Sequence, residues 1–147
     1  MKIRLMVTVV MVVLSVVLGC IGCAGKARPP ATKTIDVPMD DVLKQSAIKR
    51  DVTMSVGDTL QVTLGSNYTT PFRWAENMKI GDATVLKQVD HRYVRPDTDM
   101  MGAPGTEVWT FTALKPGTTT TITTDYASFV GGDNAPTCTF TGKVTVQ

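Results

Sequence analysis

The chain has 147 residues, 15 Lys plus Arg against 13 Asp plus Glu, three cysteines and a single histidine. Two of the basic residues, Lys2 and Arg4, lie in the first four positions; without residues 1–19 the charges balance at 13 and 13, since 15 less two is 13. The remaining basic residues are scattered without aromatic interleaving, which excludes a nucleic-acid footprint. With one histidine and no paired Cys or His spacing beyond the N-terminal segment, no metal or other cofactor is expected.

Lys2 and Arg4 precede an apolar run from Leu5 to Leu18, and small residues follow. This predicts an export signal, too short and wrongly flanked for a comfortable membrane span. Val17-Leu18-Gly19-Cys20 resembles a bacterial lipobox, with cleavage before Cys20 and lipidation of that cysteine; Cys23 is the second candidate. A plain signal peptide cut near Ala24 is the alternative. The lipobox implies a bacterial envelope protein held to the membrane by its N-terminal lipid. Ile21 after the cysteine, where no Asp stands, resembles an outer-membrane sorting signal. The expected organisation is a signal peptide over 1–19, a lipidated cysteine and tether over 20–35, and one domain over 36–147. Arg28-Pro29-Pro30-Ala31 suits a semi-rigid tether.

Strand signals dominate from there, and 40–49 offers at most one short helix. Residues 51–56 alternate and end in the turn pair Gly57-Asp58. Leu60, Val62 and Leu64 share one face of the next strand. A loop over Asn67 to Pro71 follows, and Phe72-Arg73-Trp74 opens another strand. Residues 82–95 give a less regular β stretch, and a polar loop containing Pro96, Gly102, Pro104 and Gly105 comes next. Residues 108–113 form a strong strand with Trp109, Phe111 and Ala113 on one side. Lys115-Pro116-Gly117 turns the chain into a β-branched run over 118–126. After the glycine-rich stretch 129–136, a terminal strand covers 137–146. About seven strands with turns roughly every ten residues predict an all-β, immunoglobulin-like antiparallel β-sandwich. Trp74, Trp109 and Phe111 are expected in its core, Cys138 as a small buried hydrophobe, and His91 at the surface.

The loop Asn67-Tyr68-Thr69-Thr70-Pro71-Phe72-Arg73-Trp74 resembles the Asn-Pro-Thr-Thr-Gly loop of the chagasin-type inhibitors of papain-like cysteine proteases. Asn67, Thr69, Thr70, Phe72 and Trp74 match, while Tyr68 and Pro71 depart. Gly102-Ala103-Pro104-Gly105 ahead of Trp109 and Phe111 is similar to the family's Gly-x-x-Gly turn. The third motif, Arg-Pro-Trp after a strand ending in Tyr, is missing: Tyr126 is followed by Ala127-Ser128-Phe129. The resemblance implies a monomeric, reversible and tight-binding inhibitor. Loops 66–73, 99–106 and 127–136 would enter the cleft of a papain-like cysteine protease. The contact residues would be Asn67, Tyr68, Thr69, Thr70, Pro71, Phe72, Gly102, Ala103, Pro104, Gly105, Ser128 and Phe129.

An enzyme reading would need Cys138 or a serine beside His91 with an orienting acid, and no hydrolase motif accompanies them. The competing reading is an envelope lipoprotein whose immunoglobulin-like domain has a structural or binding role and no inhibitory activity.

Overall fold

In the computed structural model the described residues are 27–132 and 135–147. The expected signal peptide and both candidate lipidation sites, Cys20 and Cys23, lie outside them. Among the described residues there are nine strands and one helix: β1 (Thr32–Val37), α1 (Met39–Lys44), β2 (Ala47–Met54), β3 (Thr59–Ser66), β4 (Phe72–Trp74), β5 (Lys79–Ile80), β6 (Leu86–Val94), β7 (Gly105–Ala113), β8 (Thr118–Ser128) and β9 (Cys138–Val146). One sheet has the order β1-β3-β7-β6. The other has β2-β9-β8-β4, with β5 also paired to β8. This is the all-β, immunoglobulin-like sandwich expected.

Period-2 alternation sends one face of each strand into the space between the sheets. Leu60, Val62 and Leu64 of β3 and Trp109, Phe111 and Ala113 of β7 meet Ile122 and Tyr126 of β8 and Phe140, Val144 and Val146 of β9 in a single core. Each fully buried aromatic or aliphatic side chain contributes about 1.5–3 kcal/mol, so the central strands β3, β7, β8 and β9 carry most of the apolar stabilisation. Cys138 is buried among them, and burial pushes its thiol pKa up. The threonine-rich β8 turns Thr120 and Thr124 inward, and their hydroxyls accept from Asp82 N at 2.8 Å and Ala75 N at 3.2 Å. These bonds tie the irregular 75–82 segment to the sheet and satisfy backbone donors that would otherwise be orphaned.

The antiparallel core of each sheet is extended at one edge by a parallel strand, β1 beside β3 and β2 beside β9. β1 begins at Thr32, inside the segment expected as a tether. Ile35 and Val37 are buried on one face, and pairing with β3 over Thr32–Val37 makes this segment an edge strand. Asp82 to Val85 forms a turn, and β6 carries a bulge between Gln88 and Asp90. The bulge turns Val89 outward and explains why this stretch alternates poorly.

The helix carries the chain from β1 in one sheet to β2 in the other. Pro38 stands at its N-cap and Val42 is its buried residue. A Cβ on Gly65 would collide with the backbone of Met39, so a glycine in β3 lets the helix lie directly on the sheet.

Candidate functional site

Strand direction brings three connections to one end of the sandwich: residues 67–71 between β3 and β4, residues 95–104 between β6 and β7, and residues 129–137 between β8 and β9. Ser66 pairs with Gly105, Val94 with Thr106 and Phe72 with Ser128, so the three loops leave the sheets at the same level. Of the third loop, residues 133 and 134 lie outside the described residues.

The first loop is folded around Asn67. Its side-chain oxygen accepts from Thr69 N at 3.0 Å and from the Thr69 hydroxyl at 2.7 Å, forming an Asx turn. Its backbone carbonyl accepts from Thr70 N at 3.1 Å and from the Thr70 hydroxyl at 2.8 Å. Thus each residue of the Asn-x-Thr-Thr pattern has a hydrogen-bonding role within the turn. The remaining Asn67 donor, Nδ2, reaches Gly102 O at 3.0 Å and ties the first loop to the second. Pro71 supplies the tie to the third, its carbonyl accepting from Phe129 N at 3.1 Å.

In the second loop the two glycines act for different reasons. Gly102 sits at φ +80°, a backbone conformation that side chains disfavour, within a turn closed by Ala103 N to Met100 O at 3.3 Å. Gly105 is buried, and a Cβ there would strike both the carbonyl of Val94 and the Tyr93 ring. Its lack of a side chain lets Tyr93 lie across β7 and stack on Tyr68, with centroids 3.7 Å apart and planes 10° apart. Burial pushes the Tyr68 phenol pKa above its ordinary 10.0, with the Glu107 charge adding to the shift.

The expected contact residues therefore gather at one end of the molecule with unequal exposure. Tyr68, Thr69, Pro71, Gly102, Pro104 and Phe129 are exposed, while Asn67, Thr70, Ala103 and Ser128 are half-buried. Phe72 is half-buried and packs inward, its ring 5.8 Å from that of Tyr126, and Gly105 is buried. These two support the loop end from beneath. Met101, fully exposed, and Val130, at 61%, extend the exposed apolar surface; neither was singled out from the sequence. Nor were Arg73 and Tyr93, whose neighbouring positions in sequence carry no sign of what they touch across loops.

His91 departs from the surface position expected of it. Its ring packs 4.9 Å from Trp109, and Nε2 lies 2.8 Å from Oε2 of the buried Glu107. The other carboxylate oxygen accepts from the Ser66 hydroxyl at 2.7 Å. A serine, an acid and a histidine thus meet beneath the first loop, with the carboxylate in the middle. The Ser66 proton is directed at Glu107 and the hydroxyl is buried, the reverse of the order in which an imidazole activates a nucleophile.

Two antiparallel-cored sheets with three loops joined at one end define a small immunoglobulin-like β-sandwich. A family profile described as "Chagasin family peptidase inhibitor I42" matches residues 53–144, and the chain belongs to that family. No curated protein matches the chain. Among solved structures it is similar to the cysteine protease inhibitor EhICP2 from Entamoeba histolytica, at 20% identity and a TM-score of 0.61, covering 82% of this chain and 99% of that one. It is also similar to PbICP-C, solved in complex with falcipain-2, at 17% identity and a TM-score of 0.52, covering 80% of this chain and 99% of that one. At these identities the two likenesses concern the fold.

Proposed function

We propose that the protein is a reversible, tight-binding inhibitor of papain-like cysteine proteases, with its three loops as the wedge that fills the protease cleft. The observation that carries this reading is the hydrogen-bonded Asn67-Tyr68-Thr69-Thr70 turn joined to its neighbours on both sides. Loops fixed before contact lose little conformational freedom on binding. A peptide held in a tight turn presents no carbonyl in line with a nucleophile, so the wedge occupies the cleft without being cut. The chain does this without catalysis of its own, consistent with the buried, carboxylate-centred arrangement of Ser66 and His91.

The lipid anchor belongs to the same reading. Cys20, with Cys23 as second candidate, would hold the protein to the bacterial envelope at the outer membrane. β1 enters the sheet beside Thr59, at the end opposite the loops, so a tether preceding Thr32 would leave the wedge facing away from the membrane. An inhibitor anchored in this way would meet proteases of the periplasm or of the exterior as a monomer.

The test compares papain inhibition by the purified full chain in mild detergent with that by Thr69→Ala/Thr70→Ala. Loss of inhibition with an unchanged melting temperature supports the wedge. Unchanged inhibition, or no inhibition by either protein of papain or a cathepsin panel, rejects it. For the anchor, Cys20→Ala should abolish incorporation of labelled palmitate; retained labelling would move the site to Cys23, and no labelling of the unsubstituted chain would remove the anchor.

A further inference from the structure

Four side chains from separate segments are stacked in series across the loop end. Tyr93 of β6 lies on Tyr68 of the first loop at 3.7 Å. The guanidinium carbon of Arg73, in β4, lies 3.9 Å from the centroid of the opposing partner in that stack, Tyr68, and 5.1 Å from the centroid of Phe129, which opens the third loop. The same guanidinium is bonded to the first loop's backbone. Nη1 donates to Thr70 O and Phe72 O at 2.7 Å each and, more weakly, to Asn67 O at 3.4 Å; Nη2 donates to Tyr68 O at 3.0 Å.

Four carbonyls of a five-residue turn and its flank thus converge on one cation. An exposed turn leaves such carbonyls to water, and a loop so solvated interconverts readily. Charge-assisted bonds to a planar fork hold them in one arrangement. The two ring contacts then tie the third loop to that arrangement, since Phe129 and Tyr68 share Arg73. The third loop, which lacks the Arg-Pro-Trp triplet, still receives an arginine–aromatic contact, with the arginine delivered from β4.

We infer that Arg73 is the positioning residue of the wedge, fixing the first loop's shape through its carbonyls and locking the third loop to it through Phe129. The inference rests on the inhibitor reading for its consequence, although the clamp itself is a property of the free protein. Lysine cannot replace it, because an ammonium offers no planar fork and stacks poorly between two rings.

The experiment compares the full chain in mild detergent with Arg73→Lys and Phe129→Leu. Amide hydrogen exchange is followed in the free protein, and association and dissociation rates are measured with papain. Arg73→Lys should speed exchange of the Thr70 and Phe129 amides by about tenfold while amides of β3 and β9 keep their protection. Release from papain should be about tenfold faster with association nearly unchanged, and slow cutting of the chain within 67–71 should appear. Phe129→Leu should loosen the Phe129 amide alone. Unchanged exchange at Thr70 and Phe129 in Arg73→Lys overturns the clamp, as does exchange that rises evenly through the sandwich. A faster local exchange together with no papain inhibition by the unsubstituted chain keeps the clamp and removes the inhibitor reading instead.

Discussion

At the end of the sandwich where β1 and β3 begin, one buried carboxylate gathers the chain. Asp58 accepts from Ala31 N and Ser55 N at 2.9 Å each and from the Arg28 guanidinium at 2.7 and 2.8 Å. At the other end, where β3 finishes, loops are joined by an Asx turn, stacked rings and a guanidinium among carbonyls, with apolar side chains left in solvent. The first arrangement closes the fold, tying the segment before β1 and the turn before β3 to one carboxylate. The second fixes the shape of a surface while leaving Met101 and Phe129 uncovered. On the inhibitor reading, the difference teaches that stability and recognition are assigned to opposite ends of one small domain, and substitutions should separate them.

Gly105→Ala should have the largest effect because it joins the two roles. Its Cβ must displace the Tyr93 ring and the Val94 carbonyl, costing about 3 kcal/mol of stability. It should also weaken inhibition by breaking the Tyr93–Tyr68 stack; thermal melting and papain titration on the same sample read both. Thr69→Ala/Thr70→Ala should come next and act at the loop end alone. Removing the hydroxyls that hold the turn should raise the inhibition constant by about thirtyfold, with the melting temperature nearly unchanged. A large melting shift with intact inhibition would erase the division of labour between the ends.

Asp58→Asn should act only at the closing end. The backbone donors Ala31 N and Ser55 N, with the Arg28 guanidinium, hold the Asp58 pKa down from 3.8 to about 2. A carboxylate with a depressed folded-state pKa contributes stability that is fully present above 3.8 and is lost as pH falls towards 2. The parent's melting temperature should therefore drop over that acid window, and the Asn variant should melt lower at neutral pH with a flatter acid limb. Its inhibition constant at neutral pH should match the parent's, and a change there would link the two ends. The smallest effect is expected of Tyr68→Phe. It keeps the ring on which Arg73 and Tyr93 rest, so inhibition should stay within about twofold, whereas loss of inhibition would assign the role to the hydroxyl.

Much of this organisation was legible in the residues. Alternation at Leu60, Val62 and Leu64 and at Trp109, Phe111 and Ala113 carries its own period, and both strands form with those faces inward. The Asn67 loop and the Gly102–Gly105 turn were also readable, since Asx chemistry and a positive φ depend on neighbours in sequence. What escaped depends on distant partners. β1 is stabilised by pairing with β3, and nothing in Thr32-Lys33-Thr34 by itself distinguishes an edge strand from a tether. His91 looks solvated between Asp90 and Arg92, yet the bulge at Val89 turns it towards Trp109 and Glu107. Arg73 is one charged residue between two aromatics in sequence, and only folding brings the four carbonyls and the two rings around it.

The most direct measurement is a titration of papain, held well above the expected dissociation constant, with the full chain in mild detergent. The wedge account predicts a linear fall in activity that ends at equal molar amounts, with the chain recovered uncut and active after release. Activity that persists at excess, or a chain severed between 67 and 71, would contradict it.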